Sequence, residues 1–199
     1  ENWDTSLVTD MGSALQNWGS FNGDISLWDT SNVTNMVNMF TSANVFNQDI
    51  SQWDSSNVTT MQSMFEGATV FNQDLSQWDT SNVTNMGKMF RNATSFNQDL
   101  SQWDTANVTA MNSMFRGATV FDQEIRGWDV SNVTDFSDMF NGATAFTTTY
   151  SGATGFGATP TSGFFTLSSD ATLASLSVAN STAPIVVSPG TTNYFAVLP

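Results

Sequence analysis

Carboxylates are the side chains in this sequence whose number and spacing most suggest chemistry. Asp4, Asp29, Asp54, Asp79, Asp104 and Asp129 each follow a tryptophan, and Asp24, Asp49, Asp74, Asp99 and Glu124 form a second series. Paired carboxylates can hydrolyse glycosides, and clustered hard oxygens suit Ca²⁺. Both series, however, are columns of a repeat, so nothing singles out one acid–base couple. Stacked at a spacing of ~5 Å, neighbouring carboxylates repel by roughly 0.8 kcal/mol in water. The first expectation is that each one caps a backbone N–H at its own turn, which offsets the repulsion. Calcium held between coils is the alternative, without a compact EF-hand-like loop to support it.

The residues that are missing narrow the chemistry further. There is no His and no Cys. That removes the usual neutral-pH general base, the commonest zinc ligand, and all disulfides. No Gly-rich phosphate loop is present. The expectation is a non-enzymatic protein that needs no cofactor.

Seven Asn residues begin glycosylation triplets. Asn32, Asn57, Asn82, Asn107 and Asn132 start N-V-T, Asn92 starts N-A-T, and Asn180 starts N-S-T. If the Val of N-V-T points inward, its neighbours point out, but glycans on successive coils would crowd one another. Asn92 and Asn180 are therefore the better acceptors.

What positions these groups is the repeat itself. Trp recurs at 3, 28, 53, 78, 103 and 128, Phe at 21, 46, 71, 96, 121 and 146, and Val at 8, 33, 58, 83, 108 and 133. A fixed period in this range means stacked supersecondary units. Trp28, Trp53, Trp78, Trp103 and Trp128, with Phe46, Phe71, Phe96 and Phe121, read as core columns rather than a carbohydrate platform. Asn47, Asn72 and Asn97 read as a buried ladder along the stack. Val83, Met86, Met89 and Phe90 fall at i, i+3, i+6 and i+7, a helical face, with Asp79-Thr80-Ser81 as its cap. Residues 97–103 read as a short strand. The predicted fold is a repeat solenoid, leucine-rich-repeat-like, with a short helix and a short parallel strand in each 25-residue coil, followed by a small β-strand segment.

Three regions follow. Residues 1–146 form a six-coil solenoid. Residues 147–163 are a Thr/Gly/Ala-rich linker or strap. Residues 164–199 are an incomplete Ig/cadherin-like β segment, with apolar runs bounded by Pro184, Pro189-Gly190 and Pro199. Neither end of the repeat array is strongly polar, and an uncapped end invites association.

Four Lys+Arg against 18 Asp+Glu give a net charge of −14, which repels phosphate backbones and anionic membranes. Only 11% of residues are charged, so the surface must be built of Asn, Gln, Ser and Thr. That composition suits an extracellular or cell-surface protein. No apolar run is long enough to span a membrane as a helix, and the opening Glu1-Asn2-Trp3-Asp4 suggests a mature or trimmed product.

The string FNQDLSQWDTSNVTNMGKMF resembles the bacterial surface-protein 25-residue repeat, a relative of the BspA-like leucine-rich repeats, over Trp3 to about Phe146. The segment ATLASLSVANSTAPIVVSPGTTNYFAVLP resembles the opening strands of cadherin-like β-sandwich modules. The resemblance implies a secreted or surface-attached protein and carries over no catalytic residue.

About three strands are too few to bury a sandwich core. Either the chain is part of a longer protein, or Leu176, Val178, Val187, Tyr194 and Val197 complete a neighbour by strand addition. Contacts of that kind that do not close make filaments. The expected function is an extracellular structural protein that self-assembles head-to-tail, its principal partner being itself. The alternative is an adhesin that uses a flank of the solenoid against glycans or host or cell-surface proteins.

Overall fold

The computed structural model describes residues 3–166, all within one unit, Glu1–Leu167. The repeats form six stacked coils of 25 residues, each opening on its Trp: residues 3–27, 28–52, 53–77, 78–102, 103–127 and 128–152. Apolar columns fill the interior. In the inner coils the Val, both Met, both Phe, the Ala and the Ile or Leu are buried.

The helix-plus-strand coil of the sequence reading is overturned. Among the described residues the α-helix is α1, Thr144–Tyr150, followed by a short 3-10 turn at Ser162–Phe165. Among the described residues no extended strand forms; consecutive coils meet at single parallel bridges such as Asn35↔Thr60 and Asn85↔Ala110. The solenoid of short helices and parallel strands is therefore replaced by a stack of turns, and the leucine-rich-repeat likeness goes with it. The segment expected as a β region from 164 begins instead with Phe164 and Phe165 in the 3-10 turn. Leu176, Val178, Val187, Tyr194 and Val197 lie outside the described residues.

The reason lies in the backbone. Val83, Met86, Met89 and Phe90 do point inward together, but Lys88 and Asn92 have φ of 59° and 57°. A left-handed residue cannot continue an α-helix. The same two positions are left-handed in every coil, filled by Ser, Asn, Asp, Lys or Gly. The N–H groups a helix would use internally are spent between coils. Met86, Lys88, Phe90 and Asn92 donate to the carbonyls of Ala110, Asn112, Met114 and Arg116 at 2.7–3.0 Å. Thr109 N–H donates back to Thr84 O at 2.9 Å. This pattern of four bonds forward and one back joins every consecutive pair of coils. Helical spacing of apolar residues records which side chains are buried and says nothing of where the backbone bonds go.

Aromatic rings stack along the array. Phe40, Phe65, Phe90, Phe115 and Phe140 follow one another at 5.3–6.0 Å between ring centroids. A second Phe column packs beside it, with Phe90 and Phe96 4.0 Å apart. The indole N–H of Trp103 donates to Leu75 O one coil back, at 2.9 Å, so the buried ring keeps its polar edge satisfied.

The last coil is closed by its own chain. Phe140 N–H donates to Ala158 O and Asp138 N–H to Thr159 Oγ1, both at 2.9 Å. Phe165 stacks on Phe136, and Phe164 meets Phe140 and Phe146 edge-on. Residues expected to be a linker thus form most of a cap. Phe164 and Phe165 stand 25 positions after Met139 and Phe140 in sequence, but the cap breaks the register. Phe140 N–H reaches Ala158, 18 positions on, where the internal junctions span 24, and Phe165 stacks on Phe136 rather than on Phe140.

Candidate functional site

Each carboxylate of the column after Trp closes a local turn. Asp29 Oδ1 accepts from Ser31 N–H at 3.0 Å and Ser31 Oγ at 2.6 Å, and Asp54 does the same with Ser56. In the second column Asp49, Asp74 and Asp99 accept the N–H two residues on, at 2.8–2.9 Å. These bonds hold several carboxyls below the usual carboxylate range. The serine hydroxyl leads at Asp4, Asp29 and Asp79, and the backbone N–H leads at Asp24, Asp49 and Asp129. The charge of Asp4 opposes the effect at Asp29, as Asp24 does at Asp49. Among the described residues no three acidic side chains converge as a metal ion would require.

At the far end the column changes character. Glu124 and Arg126 replace the Asp and Ser and form an ion pair, with the Arg126 guanidinium 5.0 Å from the centroid of the Tyr150 ring. Burial pushes the Glu124 carboxyl up, but the hydrogen bonds and charge of Arg126 outweigh it and leave it below its ordinary value. Burial, and then the Glu124 charge, push the Tyr150 phenol up. The cluster ties α1, in the last coil, to the coil before it.

The N-V-T triplets are built into the stack. The side-chain amides of Asn32, Asn57, Asn82, Asn107 and Asn132 each donate to a carbonyl of the preceding coil at 2.7–2.8 Å. Their threonines donate back as well, as Thr84 does to Thr59 O at 3.1 Å. Asn92 is exposed, and its side-chain amide donates to no described residue. Asn180 lies outside the described residues.

Trp53, Trp78, Trp103 and Trp128 are buried with Phe46, Phe71, Phe96 and Phe121, while Trp28 is partly buried. The Asn ladder was expected to be buried. It runs instead from exposed at Asn47 to half-buried at Asn72 and Asn97, where Asn47 and Asn72 Oδ1 accept the N–H of Asn72 and Asn97 at 2.9 Å.

The first coil differs from the rest in what it exposes. Leu7 is 90% and Leu27 77% exposed, with Trp3 and Trp18 about half or more. Leu7 stands in the column that holds Asn from Asn32 to Asn132, and Leu27 stands where Gln52, Gln77 and Gln102 follow. Trp18 takes the position of Ala43, Ala68, Ala93, Ala118 and Ala143, all buried. Trp3, Trp18, Phe21 and Trp28 line a shallow cleft of about 160 Å³, below the range of small-molecule sites. The exposed leucines escaped the sequence reading. Comparing each column across coils, rather than the columns with one another, would have found them.

Residues 1–82 and 74–154 each match the family described as "Mycoplasma protein of unknown function, DUF285". The chain belongs to this family. Each DUF285 match spans a little over three coils, and together they cover all six. The tandem character read from the Trp, Phe and Val columns is thus a family property. The BspA-like and cadherin-like resemblances have no counterpart in the DUF285 match. No curated protein matches the chain.

Proposed function

We propose that this chain is a non-enzymatic structural protein of the cell exterior that pairs with a second copy through the apolar surface of its first coil. The observation that carries the reading is the substitution of Leu for Asn at Leu7 and for Gln at Leu27, at positions that face solvent. Such groups are not the cut end of a core, because the same columns carry polar residues in the next coils. Exposed apolar surface of this kind marks an association site. The Asn, Gln, Ser and Thr surface supports the extracellular assignment, and the structural use of every carboxylate column supports the non-enzymatic one.

Sedimentation velocity of the full chain over a wide concentration range tests this. The native chain is expected to pair reversibly, and L7N/L27Q to stay monomeric with an unchanged circular dichroism spectrum. A native chain that remains monomeric throughout overturns the reading. The adhesin reading has one feature in its favour, a row of half-exposed valines on one flank at Val45, Val70 and Val120.

A further inference from the structure

The bonds between coils run mostly one way. In each coil four N–H groups face the coil that follows, and four carbonyls face the coil before. The first coil therefore presents the carbonyls of Asp10, Gly12, Ala14 and Gln16, which accept nothing among the described residues. The last coil presents the matching donors, Phe136, Asp138, Phe140 and Gly142. One end of the stack is an acceptor edge and the other a donor edge, as at the two ends of a helix. The two edges match in number and order, because they repeat the pattern of the five internal junctions. A second copy's acceptor edge is thus the surface that fits this chain's donor edge.

We propose that both edges carry stops against that head-to-tail stacking. At the donor edge Ala158 O and Thr159 Oγ1 occupy two of the four donors, and Phe164 and Phe165 cover the last rings. At the acceptor edge Trp18 stands where an internal junction holds a buried Ala, and its ring folds onto Phe21 at 4.8 Å. An indole in that column has no room beneath a further coil.

Two ladder residues have also been removed. The Asn column donates back to the coil before, as Asn57 does to Ser31 O, and Leu7 lacks that amide. The Thr column donates to the coil ahead, as Thr105 does to Asp129 O, and Val130 lacks that hydroxyl. Each end has lost the donor that a neighbouring copy would have satisfied, and edge protection of this sort prevents open-ended growth.

The test uses the full chain. With W18A, T159A and F164A/F165A combined, which removes the Thr159 acceptor and the rings that hold the Ala158 carbonyl in place, sedimentation velocity should show an open-ended series of sizes growing with concentration, where the native chain stops at a closed pair. Adding L7N and V130T restores both missing donors and should tighten assembly by roughly fivefold for each hydrogen bond. Non-specific sticking would respond in the opposite sense, since L7N removes apolar surface. A stop-free chain that keeps its circular dichroism spectrum but stays at the native size overturns the proposal. So does growth that L7N/V130T weakens. If the stop-free chain loses its fold, W18A/L7N with the cap intact takes its place, mixed with an F164A chain. The mixture should form heterodimers of stacked ends, and their absence overturns the proposal. Pairing of the native chain through Leu7 and Leu27 is read separately by L7N/L27Q, so either idea can fail alone.

Discussion

The inner coils and the two end coils are built from one template, yet they solve different problems. Coils three to five bury the same residues, repeat the same hydrogen bonds and stack the same rings. The first coil replaces Phe with Leu15 and Ala with Trp18, and its Thr5 hydroxyl is buried without a partner among the described residues. The last coil turns its Thr into Val130, and the coil before it ends on a Glu124–Arg126 pair in place of the Asp–Ser turn. Inside the stack a residue is chosen for two neighbours, and at an end for one. In a repeat protein, where stability is close to a sum of unit and junction terms, this predicts a gradient in the cost of substitution.

The gradient is steepest for the core rings. Phe90→Ala should cost about 3–5 kcal/mol and Leu15→Ala about 2 kcal/mol, measured by denaturant midpoints on the full chain. Equal losses would break the comparison. The tryptophan column gives the next contrast. Trp103→Phe leaves the Leu75 carbonyl without its buried donor and should cost about 1–3 kcal/mol. Trp3→Phe, at the exposed end, should fall within about 0.5 kcal/mol. The smallest effect is electrostatic. Asp4, Asp24, Asp29, Asp49, Asp79 and Asp129 titrate below the ordinary carboxylate range in the fold. Their contribution is therefore full above the unfolded value and lost as the pH falls through the folded one. Melting temperature should hold near neutrality and decline in acid, and a rise in acid would contradict the turn-capping role.

The stacking of the repeats was legible because burial alone sets the columns. The buried ring of Trp103 and the buried methionines follow from spacing without knowledge of the backbone. That the inner coils form no helix was not legible in the same way. Met86, Met89 and Phe90 repeat as they would on a helix, while Lys88, of no special turn chemistry, sits at φ 59°. Four forward hydrogen bonds to the next coil hold it there, and no local signal announces a bond to a residue 24 positions on. The Asn column misled for a related reason. Asn72 Oδ1 serves a backbone N–H at a half-buried position, where a polar ladder was expected only under full burial. The cap escaped because Tyr150 and Ala153 replace the expected Ile/Leu and Trp, which ends the visible period before Phe164 and Phe165.

The direction of the bonds between coils also fixes how the molecule answers a pull. The junction bonds run along the stack from each coil to the next. A force applied at the two ends therefore loads one junction at a time, in the geometry of unzipping rather than shear. Coils should peel off singly, each freeing 25 residues and roughly 80–90 Å of extended chain. Such an array would yield in equal steps at nearly constant force, lengthening before it breaks.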